Sequence, residues 1–294
     1  MSLYALALVI LAALTHATWN LLAKKAASAG PSFVFAYGLC ATVIFAPWAI
    51  WELSTNLSLN TFEWSWPLAG CIMLSTAFHL GYSLSLQHGY QVADLSVVYP
   101  IARGSGPLLS TMGAFILLQE QPRLTGLTGM LCVVIGILMI ATQGKTTMFK
   151  NPKAWIGIRW GMLIGLLIAS YTVTDGYAVK VFMLTPVVLD WISHVLRTLI
   201  LAPVMVRRRI PIRKTMRGYW GLAILVGILS PLSYILVLQA LRTGAPLSLV
   251  APTREMAMMV GTLMGIFLLR EPRNPWRLAG CAVIICGVIL LGAS

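Results

Sequence analysis

Charge is what this chain of 294 residues has least of: Asp, Glu, Lys and Arg together make up only 10% of it, and just 8 residues are acidic. A soluble domain of this length carries about 25% charged residues. The deficit is not filled by glycine or proline, since 59% of the residues are hydrophobic and the mean hydropathy is +0.85. Long polar loops are missing as well, and with them any room for a soluble domain. Five cysteines (Cys40, Cys71, Cys132, Cys281, Cys286) form no CxxC pair and no Cys/His cluster, so no metal is expected. HExxH and GxSxG do not occur, which argues against a membrane enzyme. Without GxxxxGK[ST], any transport must be driven by gradients and not by nucleotide hydrolysis. No cofactor is expected.

What the chain does have is long apolar runs. A membrane-crossing helix takes roughly 20 apolar residues, because backbone groups left unpaired in lipid are costly. By that measure ten spans are expected, near 3–25, 31–52, 65–89, 95–118, 124–142, 156–179, 185–206, 218–241, 246–269 and 276–293. The longest connection runs from about Gln143 to Trp155. The first run is too long for a removable signal peptide and lacks its basic start and small-residue cleavage site, so it is expected to remain as the first span. The net charge of +13 resides mostly in the connections, which makes it a topology signal and not a sign of nucleic-acid binding. Taken alternately, one side receives fifteen loop cations, among them Lys24, Lys25, Lys145, Arg207, Arg208, Arg209 and Lys214. The other side receives three, Arg123, Lys180 and Arg242. The basic side is expected in the cytoplasm, with both termini extracytoplasmic.

The chain is also written twice. Residues 82–100 laid over 234–252 match at nine of nineteen positions, including Tyr82/Tyr234, Gln87/Gln239, Ser96/Ser248 and Pro100/Pro252. One residue is lost after the prolines, and a shift of 151 then pairs Arg103 with Arg254, Glu120 with Glu271, and Gly129 and Gly136 with Gly280 and Gly287. Apolar composition alone would match leucines, not Tyr, Gln, Pro, Arg and Glu in order. The units are 1–143 and 156–294, with 144–155 between them. Five spans per unit is odd, so the second unit enters the membrane inverted, as in many secondary transporters, with a site between the units near the midplane.

Proline and arginine inside matched spans are the most informative feature. Pro100 and Pro252 free the carbonyls four residues earlier, at Ser96 and Ser248, and are expected to kink spans four and nine as gates. Arg103 and Arg254 follow. An arginine inside a span costs about 2.5–3.5 kcal/mol on insertion scales and therefore faces protein or water. Arg103, Arg197 and Arg254 are balanced in the spans by Asp175, Asp190 and Glu255. They serve either as internal ion pairs or as the wall of a cavity. Tyr99 and Arg103 share a helix face, a combination that suits a carboxylate or phosphate on an organic molecule. Arg254 and Glu255, about 100° apart, are expected to face different neighbours. His16, Trp19, Asn20, His79, Tyr82 and Tyr234 add polar and aromatic groups. Spans two, five and ten are nearly devoid of ionisable residues. A polar inner ring with greasier helices outside is the expected arrangement. The substrate-binding candidates are Trp19, Asn20, His79, Tyr82, Tyr99, Arg103, Tyr234 and Arg254. Glu255, Asp175 and His16 are candidates for proton or charge coupling.

These residues carry a resemblance. The steps LLQEQPRLTGLTG (117–129) and LLREPRNPWRLAG (268–280), the Pro-containing fourth and ninth spans, and THATWNLLAKK (15–25) resemble the drug/metabolite transporter superfamily, in its ten-helix EamA branch. The resemblance implies an all-α membrane protein, a basket of ten helices around a central cavity, working by alternating access in a bacterial inner membrane. Given His79, Tyr82 and Tyr99, the chain resembles the bacterial aromatic amino acid exporters of this branch. The expected function is export of small amphipathic metabolites such as amino acids, by a carrier working as a monomer. The alternatives are a proton-coupled exporter of cationic drugs using Glu255, Asp175 or Asp190, a carrier of phosphorylated or lipid-linked metabolites, and a non-transporting scaffold.

Overall fold

In the computed structural model, the described residues are 1–58, 64–93, 95–121, 123–145, 154–207, 212–268 and 274–294. They form helices α1 (Leu3–Lys25), α2 (Gly30–Ser58), α3 (Trp66–Val92), α4 (Leu95–Leu117), α5 (Leu124–Thr142), α6 (Ala154–Lys180), α7 (Pro186–Arg207), α8 (Ile212–Thr215), α9 (Trp220–Arg242), α10 (Leu247–Arg254), α11 (Met256–Leu268) and α12 (Pro275–Gly292). No strand occurs among them. Eight helices are long and apolar enough to cross a membrane: α1, α2, α3, α5, α6, α7, α9 and α12. The protein is thus an integral multi-pass membrane protein. The other two expected spans are the ones that carry the buried arginines. α4 is long, but its interior holds Arg103 and Pro107 among serines and glycines. The expected span 246–269 is divided at Glu255 into α10 and α11.

Large apolar side chains such as Val43, Ile116, Leu199 and Ile289 point outward at 63–66% exposure, as a lipid-facing surface requires. Exposed tryptophans stand at helix starts, Trp66 on α3, Trp155 on α6, Trp220 on α9 and Trp276 on α12, where an amphipathic ring meets the headgroup layer.

With no hydrophobic drive between helices in lipid, small residues set the packing. Gly157, Gly161 and Gly165 of α6, four residues apart, lie against Val97, Ile101 and Ser105 of α4, and a Cβ at Gly161 would stand 2.7 Å from Ile101 and 2.9 Å from the Val98 carbonyl. α5 and α12 pack through reciprocal glycines. Gly129 meets the carbonyl of Gly287 and Gly136 that of Gly280, so the two helices run antiparallel and each uses the same two matched positions. The Met1 ammonium reaches the Gly292 carbonyl at 3.5 Å, which puts both chain ends on one face.

The proline expectations divide. α4 runs unbroken through Pro100 and Pro107, and no interruption marks Pro100. In the expected span 246–269 the break comes three residues after Pro252, at Glu255, whose amide bonds the Pro252 carbonyl at 3.0 Å. The carbonyl that Pro252 frees, at Ser248, accepts the Thr111 hydroxyl of α4 at 3.4 Å, so the freed group is satisfied from a distant helix. Asp94, Glu271 and the connection 146–153 lie outside the described residues.

Candidate functional site

A cavity of about 120 Å³ lies in the middle of the helix set, walled by side chains of α1, α2, α3, α4, α6, α7, α9 and α10. Helices α5 and α12 stay outside, paired with each other through their glycines. Seven of the substrate-binding and coupling candidates meet here: His16, Trp19, His79, Tyr82, Arg103, Tyr234 and Arg254. Tyr99 sits one turn from Arg103 with its ring 5.6 Å from the guanidinium, a cation–π support and not part of the wall. Asn20 is exposed and spends its amide on the His16 carbonyl at 2.8 Å, so the structure does not bring it to the cavity. Asp175 and Glu255 stand behind the wall, each holding residues that form it. Pro100 and Pro252 are buried in helix interiors.

The arginines are organised by one carboxylate. Arg103 Nη1 reaches Glu255 at 3.3 Å, and Arg254 Nη2 reaches the other oxygen at 3.4 Å. A second donor of Arg103 faces His16 Nε2 at 3.4 Å, which makes that nitrogen the acceptor and places the ring proton on the other nitrogen. The break at Glu255 makes this sharing possible. On a continuous helix the neighbours Arg254 and Glu255 would diverge by about 100°. Two cations thus meet one anion, and the surplus positive charge is buried at the cavity. Arg254 is 7% exposed, and its Nε has no hydrogen-bond partner in the protein. A buried donor left unmade costs about 1–3 kcal/mol, more when charged. The cavity wall therefore includes a buried cation whose donors the protein does not all satisfy.

His79 and Tyr234 converge on Asp175. His79 Nε2 lies 3.0 Å from Oδ2, and the Tyr234 hydroxyl donates to the same oxygen. With its Nε2 proton pledged to the carboxylate, His79 keeps Nδ1 as an acceptor. The ring is stacked on Tyr171 at 4.0 Å and 19°, and Tyr234 abuts it edge-on at 5.5 Å. Tyr82 completes an aromatic lining against Tyr171 at 5.8 Å. Asp175 Oδ1 is buried without a partner.

A third group comes from α7. His194 Nδ1 lies 3.3 Å from the Asp190 carboxylate and 3.0 Å from Arg197 Nη2, and all three residues line the cavity. The nitrogen donates to Asp190 or accepts from Arg197, but not both. Asp190 and Arg197 were among the span charges expected to pair internally or to form a cavity wall, and Tyr171 and His194 are polar groups of the expected inner ring; all four line the cavity. Tyr37 was missed entirely: α2 reads as one of the greasy outer helices, yet Tyr37 reaches the cavity. A tyrosine near a helix end is ordinary in membrane spans, so nothing in the sequence separates this one.

The comparisons with known proteins agree with one another. Residues 3–142 and 155–293 each match the model of the EamA-like transporter family. The chain is similar to "Uncharacterized transporter YwfM" of Bacillus subtilis (strain 168), 21% identical over 249 residues, which are 84% of this chain and 79% of that protein. A protein of known crystal structure superposes with a TM-score of 0.73 over 97% of this chain and 95% of its own, at 15% identity, a likeness of fold.

Proposed function

This chain belongs to the EamA-like transporter family, and from that premise we propose that it is a secondary carrier for small amphipathic metabolites with an anionic group, amino acids foremost. The observation that carries the reading is Arg254, buried in the cavity wall with an Nε donor that no protein atom accepts. A substrate carboxylate supplies that acceptor and offsets the surplus charge of Arg103 and Arg254 over Glu255. Tyr82, Tyr171, Tyr234 and Trp19 offer the apolar part of the substrate an aromatic surface. Nδ1 of His79 gives an amino group its acceptor, with the charge of Asp175 behind it.

In this reading 1–143 and 156–294 are inverted units joined by 144–155. The reciprocal glycines of α5 and α12 support that relation, because an in-plane two-fold exchanges Gly129 with Gly280 and Gly136 with Gly287. The units alternate access to the central cavity, with α4 and the α10–α11 break as moving parts. The cation bias of the loops supports outward termini, and export across a bacterial inner membrane is taken from the family resemblance. A second reading is favoured by one observation: Arg103 and Arg254 line the same cavity, and two guanidiniums suit a phosphorylated metabolite as well as a carboxylate.

Counterflow in proteoliposomes tests both. Labelled amino acids, phosphate monoesters and organic cations are offered outside against unlabelled competitor inside. Uptake that requires internal amino acid, and is lost in Arg254→Ala, is the expected result. Exchange of phosphate monoesters alone moves the assignment to the second reading, and exchange of cations alone refutes both.

A further inference from the structure

Glu120 lies far from the cavity, on the face that holds the chain ends, and its setting is unusual for a loop carboxylate. α4 ends with Gln119 in the left-handed region at φ +54, and the Glu120 amide returns to the Ala114 carbonyl at 3.3 Å. That turn aims the Glu120 side chain across the boundary between the two units. There Oε1 accepts from the Leu247 amide at 2.7 Å and from Lys180 Nζ at 2.8 Å, and Oε2 accepts from the Ser248 amide at 2.9 Å. Leu247 and Ser248 are the first two residues of α10, whose own N-cap is Pro246, without a side chain to offer. The cap of α10 is therefore supplied from the other unit, by a carboxylate well suited to the positive end of a helix.

α10 is a short rod held at both ends by the first unit. All eight residues, Leu247–Arg254, are buried. Its N-terminus is fixed by Glu120. Its far end carries Arg254 into the cavity, and the next residue, Glu255, is fixed by Arg103. Between the cavity and the face with the chain ends, the interior is filled by an apolar cluster that includes Val9, Leu68, Ala114, Leu184, Val188, Leu241, Leu247 and Val250. By their places on the helices these side chains come from the ends nearest that face, and Glu120 sits at the rim of the plug.

We infer that Glu120 is a positioning residue for transport, a cross-unit latch that holds α10 and the apolar plug closed on the face of the chain ends, and that opens whenever the cavity opens to that face. Unlatching strands a carboxylate, an ammonium and two helix amides together, so the closed state is favoured until water or a rearranged partner takes them up. Because α10 is a single rod, motion at its latched end is transmitted to Arg254 at the site. The inference rests on the carrier reading, and its test does not require the substrate.

The test is labelling of a cysteine placed in the cavity wall, Ser230→Cys, by a membrane-impermeant maleimide applied separately to each side of oriented vesicles, with the same protein lacking that cysteine as the blank. Glu120→Gln, which cannot accept from both amides and Lys180 together, is expected to speed labelling from the chain-end face by about tenfold, the scale set by losing charge-assisted hydrogen bonds. Labelling from the other face stays the same or slows. Lys180→Met, which leaves both amides capped, shifts labelling in the same direction by less, and Glu120→Asp restores part of the wild-type rate. Labelling unchanged from either face, or raised equally from both, overturns the latch. Counterflow on the same vesicles is read independently, so a failed carrier reading is distinguishable from a failed latch.

Discussion

Arg103 of α4 and Glu255 at the α10–α11 break are joined across the two units at 3.3 Å, both largely buried, in a chain with only 8 acidic residues. Their pairing ties the hydrogen-bond economy of the site to the packing of the bundle. It also leaves Arg254 with donors to spare.

Removing the carboxylate is expected to harm the fold more than removing the pair. Glu255→Gln leaves two guanidiniums without an anion, and breaking a buried pair from one side costs about 3–5 kcal/mol. Arg103→Met with Glu255→Met is expected to cost less than the sum of the single changes. A double-mutant cycle by thermal unfolding in detergent checks this, and additivity within about 0.5 kcal/mol sinks the coupling.

Tyr234→Phe deletes one of the two donors to Asp175 Oδ2 and leaves His79 as its partner. The expected result is a higher KM for transport, by about three- to tenfold, with little loss of stability, since one hydrogen bond contributes about 0.5–1.5 kcal/mol. His79→Gln, which loses the stacking on Tyr171 as well, is expected to be worse. A Tyr234→Phe protein with wild-type kinetics would remove this wall from the site.

Three glycines separate packing from helix propensity. A methyl at Gly136 would stand 2.6 Å from Ile284 and 2.7 Å from the Gly280 carbonyl, whereas Gly70 and Gly221 have nothing within 4 Å. Gly136→Ala is expected to lower the melting temperature by several degrees through an overpacking cost of about 1–3 kcal/mol. Gly70→Ala and Gly221→Ala are expected to be neutral or mildly stabilising, because alanine is the better helix former.

Glu120 predicts an acid dependence. Its burial raises the carboxyl's pKa, but Lys180 and the amides of Ser248 and Leu247 outweigh that and hold it below the ordinary value. A carboxyl with a depressed folded-state pKa stabilises above its unfolded value, about 4.3, and the contribution disappears as pH falls through the folded value. The stability difference between wild type and Glu120→Gln is therefore expected to be constant from pH 8 to 5 and to shrink below about pH 4. A difference that already declines between pH 7 and 6 would mean that another group sets it.

The helical character and membrane placement of the chain and most of the cavity's residue types were written in local terms. A span must be apolar over its whole length and satisfy its own backbone, so spans announce themselves, and an arginine or histidine inside one is costly enough to stand out. That is why Arg103, Arg254, His79 and Tyr234 were legible before any packing was known. Asn20 was legible in the same way and yet lies on the surface, because a polar residue near a helix end meets water cheaply and its type carries no direction.

What only the tertiary structure decided is who meets whom. The break falls at Glu255 and not at Pro100, and the carbonyl that Pro252 frees at Ser248 is taken up by Thr111, 137 residues away in sequence. Tyr37 reaches the cavity because of how α2 is rotated in the bundle. Glu120 caps a helix of the other unit across 127 residues. Capping, charge sharing and glycine-to-carbonyl contact all act over a few ångströms in space. The sequence fixes which groups need partners, and the packing of the helices chooses them.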